Sequence, residues 1–183
     1  MSKNTSYQLF ITFIALILLN ACSHSDELIE VVSTAKDGKA KYAISFPAYM
    51  DSESEKILGK GADLQYCSFY RNVYAIVLEE SKSDTSFSLT EYAQKKIDEL
   101  ENAVRNPLRL DSLQMNLASN KAQQMQIVGK IGEGELEKRI LYRLVFIEAD
   151  EHIFQLILWG WDERRDLYLE DFDKIVKSFH LIE

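Results

Sequence analysis

The sequence predicts an α+β domain: one antiparallel β-sheet with helices packed on both faces, an α/β/α sandwich. Three observations predict it. The stretch Glu137 to Trp161 holds two long apolar runs around Ala149-Asp150-Glu151, rich in β-branched and aromatic residues. These read as a β-hairpin closed near Asp150. Both faces of both strands are apolar: Ile140, Tyr142, Leu144 and Phe146 against Leu141, Val145 and Ile147, then Phe154, Leu156 and Leu158 against Ile153, Ile157 and Trp159. Such strands must be covered on two sides. Two further segments carry a single apolar stripe at helical spacing, and these supply the covers.

The elements follow in order. Leu28 to Ala35 and Lys39 to Phe46 flank Lys36-Asp37-Gly38, a hairpin signal. Pro47, which lacks a backbone donor, ends the second strand. Ala48 to Lys60 is polar and reads as a loop with a helical turn. Ala62 to Tyr70 alternates as a strand, Arg71-Asn72 turns the chain, and Val73 to Glu80 is apolar on both faces and therefore central. Ser88-Leu89-Thr90-Glu91 matches a capping box, with Ser88 placed to accept from the Glu91 N–H. Leu89, Tyr92, Ala93, Ile97, Leu100 and Val104 then recur as one helical face, and Asn106-Pro107 stops the helix. Leu113 to Leu117 reads as a strand, Ser119-Asn120 as a turn, Met125 and Ile127 as the next strand, and Gly129 to Gly134 as a flexible turn. Asp162 to Asp166 begins the last helix, whose stripe is Phe172, Ile175, Val176 and Phe179. No internal repeat or linker divides this stretch.

The amino terminus reads differently. Lys3 precedes Leu9 to Leu19, an apolar run of signal-peptide length and too short to span a bilayer as a helix. Leu19-Asn20-Ala21-Cys22 follows, and it resembles the lipobox of bacterial lipoproteins. That resemblance implies cleavage between Ala21 and Cys22, a diacylglycerol on the Cys22 thiol, and an acyl chain such as palmitate on its amino group. Several chains anchor stably where one is marginal. The expected organisation is a signal peptide over 1–21, the lipidated Cys22 and a polar tether over 22–27, and one domain over 28–183. Ser23 follows the cysteine where Asp would resemble an inner-membrane retention signal, which implies the outer membrane, facing the periplasm, in a two-membrane organism.

Charge and chemistry narrow the function classes. The net charge of -8, with no run of more than two basic residues, argues against nucleic acid, which needs clustered Lys and Arg. Cys67 is the thiol remaining after lipidation, without a neighbouring activator, and reads as a core cysteine. His24, His152 and His180 lack metal-ligand spacing and read as surface residues, so no metal or other cofactor is expected. The glycines of Gly129-Lys130-Ile131-Gly132-Glu133-Gly134 precede a strand, in the wrong pattern for a nucleotide site. Glu79-Glu80, Glu133 with Glu135, and Asp162-Glu163 read as solvated charges rather than acid/base pairs. Trp159-Gly160-Trp161 stands out: both Trp point to one face, and Gly160 leaves a notch on the other. Core packing is the ordinary reading, and a contact of Trp159 and Trp161 with a partner or ligand stays open beside it.

Short motifs resemble a known fold family. Tyr42-Ala43-Ile44-Ser45-Phe46-Pro47 is similar to the opening strand of Mog1/PsbP-like domains. Phe154-Gln155-Leu156-Ile157 and Ile175-Val176-Lys177-Ser178-Phe179 resemble their last strand and helix. The resemblance runs from about Val31 to Leu181. The Trp common after the family's Pro is replaced by Tyr49 and Met50. Members include photosystem II extrinsic subunits, Ran-binding release factors, secretion-effector chaperones and envelope lipoproteins, which act mainly by binding proteins. The resemblance thus implies a lipid-anchored, protein-binding accessory module of the envelope, not an enzyme, with the membrane and another envelope protein as partners. The alternative is an envelope hydrolase or small-ligand binder whose site joins residues distant in sequence.

Overall fold

A computed structural model describes residues 27–34, 41–53, 58–59, 61–82 and 87–182. The signal segment, Ala21, Cys22, His24 and the Lys36-Asp37-Gly38 turn lie outside the described residues. Ten strands are present among the described residues: β1 (Leu28–Thr34), β2 (Lys41–Pro47), β3 (Asp51–Ser52), β4 (Leu64–Ser68), β5 (Val73–Ser81), β6 (Arg105–Leu117), β7 (Asn120–Ile131), β8 (Lys138–Ala149), β9 (His152–Trp161) and β10 (His180–Ile182). Two α-helices accompany them, α1 (Leu89–Ala103) and α2 (Leu169–Ser178).

The large sheet has seven strands in the order β3-β4-β5-β9-β8-β7-β6, all antiparallel neighbours. β9 stands in the middle, so the Glu137 to Trp161 hairpin is central as its two apolar faces require. Its strands pair from Ile140 with Trp161 to Ala149 with His152, and Asp150-Glu151 closes the turn. A second, three-stranded antiparallel sheet has the order β1-β2-β10. Tyr42, Ile44 and Phe46 of β2 are buried in one core with Leu141, Val145, Ile147, Phe154, Leu156 and Leu158 of the large sheet and with Phe172, Ile175 and Val176 of α2. On the opposite face Ala93 and Ile97 of α1 pack on Met125, Ile127, Leu144 and Phe146.

The expected sandwich therefore needs correction. The antiparallel sheet is there, but the chain is mostly strand. One face is covered by a small sheet with the ten-residue α2 beside it, not by a helical layer. β10, absent from the sequence reading, forms because Phe179 ends α2 in an extended conformation and His180–Ile182 can complete the small sheet along β2. The Asp162 to Asp166 stretch is a 3-10 segment (Asp162–Leu167) that precedes α2 rather than its first turn.

The start of α1 matches its signal: the Glu91 N–H donates to Ser88 Oγ at 3.3 Å. Ser88→Ala should lower stability by about 1 kcal/mol, read as a shift in the urea midpoint. The helix end differs from expectation. The chain enters β6 directly at Arg105, ahead of Pro107. Proline is tolerated there because β6 is an edge strand, and two register shifts bend it. Ala118 and Ser119, both at positive φ, make the turn into β7, one residue earlier than read. Gly129 belongs to β7 and not to a turn. A Cβ on it would stand 2.3 Å from Val104 Cγ2, so glycine lets the end of α1 approach the sheet.

Candidate functional site

The α1 face of the large sheet is wider than α1. The helix covers β7 and β8, leaving β5 and β9 partly open. Register sets what lies there. Tyr74 of β5 pairs with Trp159 of β9, which pairs with Tyr142 of β8; Ile76 pairs with Ile157, and Ile157 with Leu144. Strand alternation sends all of these side chains to the same face. Tyr74 stacks on Trp159 with ring centroids 5.3 Å apart and an interplanar angle of 16°. Phe69 meets the Tyr74 ring edge-on at 6.0 Å.

Between this floor and α1 lies a hollow of about 430 Å³, lined by Ile76, Tyr142, Ile157, Trp159 and, from the helix, Lys96, Glu99 and Leu100. Burial pushes the Tyr142 phenol up, so it stays neutral. A polar cluster closes one end. The Gln155 amide donates to Glu80 at 2.8 Å and to the Tyr92 hydroxyl at 2.7 Å, and Lys96 Nζ reaches Glu80 at 2.9 Å. Burial opposes charge on Glu80, but the bonds from Lys96, Tyr92 and Gln155 outweigh it and hold its carboxyl below the ordinary range. Gln155 is thus buried beneath α1 rather than open to water. Gln155→Ala should cost about 1–3 kcal/mol in denaturation, because it strips partners from half-buried acceptors. A second hollow, of about 520 Å³ at the start of α1, is lined largely by polar side chains including Gln114, Lys121, Gln123 and Glu148.

The predicted contact residues separate. Trp159 lies in the aromatic hollow. Trp161, on the same face of β9, lies at the sheet end between the Lys138 ammonium at 5.1 Å and the Arg164 guanidinium at 5.3 Å. The notch opposite them is filled. A Cβ on Gly160 would stand 2.8 Å from the Tyr168 ring, whose hydroxyl donates to the Trp161 carbonyl at 3.0 Å. Gly160 therefore makes room for a core tyrosine, not for a ligand.

The other candidates sort in the same way. Cys67 is buried, and burial first, then Glu53 and Asp51, push its thiol up and away from reactivity. Glu79 and Glu80 point to opposite faces of β5 and form no acid/base pair. His152 is the clearest correction. It is buried, not at the surface, with Nδ1 2.7 Å from Glu79 Oε1. Asp162 is also buried, with Arg139 at 2.9 Å and Arg165 at 3.5 Å. Among the described residues no group of three or more His, Cys, Asp or Glu side chains could hold a metal ion. Nor, among them, is any helix long and apolar enough to cross a membrane.

The floor of the hollow was written in the sequence as strands apolar on both faces. What sequence reasoning missed is that α1, with Ala93 and Ile97 as its buried contacts, is too narrow to cover all of them. The missed residues are Tyr74, Ile76, Tyr142, Ile157, Lys96 and Leu100.

By sequence the chain matches no family model and no curated protein. By structure it is similar to several solved proteins. Cyanobacterial PsbP (CyanoP) from Synechocystis sp. PCC 6803 superposes with a TM-score of 0.60 at 17% identity, over 85% of this chain and 92% of that one. The protein Mog1 gives 0.60 at 14% identity, over 86% and 97%. LpqN of Mycobacterium tuberculosis, described as involved in cell envelope biogenesis, gives 0.53 at 13% identity, over 86% and 93%. The chain has the Mog1/PsbP-like fold. Identities this low establish the fold alone.

Proposed function

We propose that this chain is an accessory module of the bacterial cell envelope, held to a membrane by lipid on Cys22, that binds another envelope protein through the Trp159 hollow. The observation that carries the binding reading is the floor itself. Tyr74, Trp159, Tyr142, Ile76 and Ile157 form an aromatic and aliphatic surface, rimmed by Lys96 and Glu99. Rigid aromatic surface with a charged rim is how protein contacts gain both affinity and register. The polar groups at its end, Glu80, Tyr92, Lys96 and Gln155, are engaged with one another, so we read the protein as a binder and not an enzyme. The lipobox supports the envelope location, and LpqN, which shares the fold, is described in terms of envelope biogenesis. Ser23 after the cysteine supports the outer membrane.

Anchoring and binding have separate tests. Cys22→Ser should leave a chain that no longer takes up fatty-acid probes or partitions with membranes; unchanged labelling would sink the anchor. For binding, a photocrosslinking amino acid at Leu100, on the rim, should yield one discrete protein adduct in intact envelopes, and Trp159→Ala should abolish it. If the same adduct survives Trp159→Ala undiminished, the partner contacts some other surface.

A further inference from the structure

We propose that the end of the large sheet where the chain enters the domain is a membrane-contacting face, whose apolar tips seat in the interfacial layer of a lipid bilayer. The inference rests on the anchoring of Cys22.

Register gathers one set of strand ends together. β4 ends, β5 begins, β9 ends, β8 begins and β7 ends at the same side of the sheet. The connections there carry four of the eleven exposed large apolar side chains among the described residues, including the three most exposed. Phe69 and Tyr70, in the turn between β4 and β5, are 58% and 92% exposed. Leu136, in the 3-10 turn Gly134–Leu136, is 79% exposed, and Leu167, closing the 3-10 segment Asp162–Leu167, is 62% exposed. The opposite end turns on Ala118-Ser119 and Asp150-Glu151, and those two turns present no such side chain. Burying tips of this kind in a bilayer interface removes apolar area from water without disturbing the core.

The position of the anchor says what covers this end. The Glu27 carbonyl accepts from the Ala48 N–H at 2.9 Å, which ties the start of the domain to the turn after β2. In that turn the Tyr49 ring lies 3.7 Å from the Arg71 guanidinium, and Arg71 belongs to the turn of Phe69 and Tyr70. Glu27 is therefore at the apolar end. It is five residues from Cys22, a reach of at most about 18 Å. The ten residues of β9 alone extend roughly 33 Å along the sheet. A lipid on Cys22 thus holds the bilayer beside this end and cannot hold it beside the other.

The polar groups fit the same surface. Trp161 stands at this end between the side chains of Lys138 and Arg164. An amphipathic ring with flanking cations matches the headgroup layer, where Trp is favoured and long basic side chains reach phosphate. Acidic side chains share these connections, Glu133 and Glu135 beside Leu136 and Glu163 and Asp166 beside Leu167, so the apolar tips and Trp161, not net charge, favour the bilayer.

The test uses the full lipidated protein on vesicles of phosphatidylethanolamine and phosphatidylglycerol, with nitroxide labels on Tyr70→Cys, Leu136→Cys and Asp150→Cys. All three positions are exposed, so the fold should tolerate them. Labels at 70 and 136 should collide several-fold more with oxygen, relative to a water-soluble nickel chelate, than the label at 150. Equal collision ratios at all three positions on protein that floats with the vesicles would overturn this inference and leave the anchor standing. Failure to float would overturn the anchor and this inference together. Labels that are aqueous on vesicles but shielded in whole envelopes would assign this end to a protein and overturn the lipid assignment.

Discussion

Leu156→Asp is expected to leave the chain largely unfolded at room temperature, and Leu156→Ala to fold with a clearly lowered urea midpoint. Leu156 is on the middle strand, fully buried, in the core that joins the large sheet to Tyr42, Phe46 and Phe172. Truncation to alanine removes apolar contact and leaves a cavity between layers that cannot both relax, costing about 2–5 kcal/mol. A carboxylate at the same place adds desolvation without a partner, since the cross-strand neighbours on that face are Val77 and Val145. A domain of this size has roughly 5–15 kcal/mol of stability in all, so the second change consumes most of it. Circular dichroism and urea titration read both. A Leu156→Asp chain as stable as the parent would mean that β9 is not the centre of the sheet.

His152→Ala is the other large effect. The imidazole and the Glu79 carboxylate lie 2.7 Å apart, with side-chain exposures of 6% and 3%. Removing the imidazole strands a carboxylate in the core, which costs about 3–5 kcal/mol for a buried pair broken on one side. Replacing both residues together, Glu79→Leu with His152→Leu, should recover much of that loss, because the pair's own net worth is small once desolvation is counted. Matching urea curves for the single and double variants would show that the cost is packing at His152 and not the uncompensated charge.

Much of this architecture was legible in local pattern. Alternation over Val73 to Glu80 and over both arms of the central hairpin identified strands with two buried faces, and register confirms both sets. Ser88 announced its helix because a cap is a contact between residues three apart. The helical stripe of Phe172, Ile175, Val176 and Phe179 is buried throughout. The readings that failed are of another kind. β6 looked short because Asn106-Pro107 reads as a break and its early residues are all exposed, as suits an edge strand whose strand character comes from pairing with β7 rather than from a buried face. Gly129 looked like a turn because its reason for being glycine, the Val104 side chain above it, belongs to the helix end.

The candidate site divides along the same line. Trp159 stood out by its own composition, and its strand position told which way it points. That Tyr74 and Tyr142 flank it depends on pairings between strands far apart in the chain, and that the hollow stays open depends on how far α1 reaches across them.

By itself, then, the sequence determined the central strands, their two-sidedness and the start of α1, because each is set by neighbours within a few residues. Tertiary structure decided which polar side chains are buried and with whom. Glu79 and His152 are 73 residues apart, and Glu80 and Gln155 are 75 apart. A charge that looks solvated in one dimension becomes a core partner only when strand order places its complement beside it. Burial is a property of that assembled pair, and no local period encodes it.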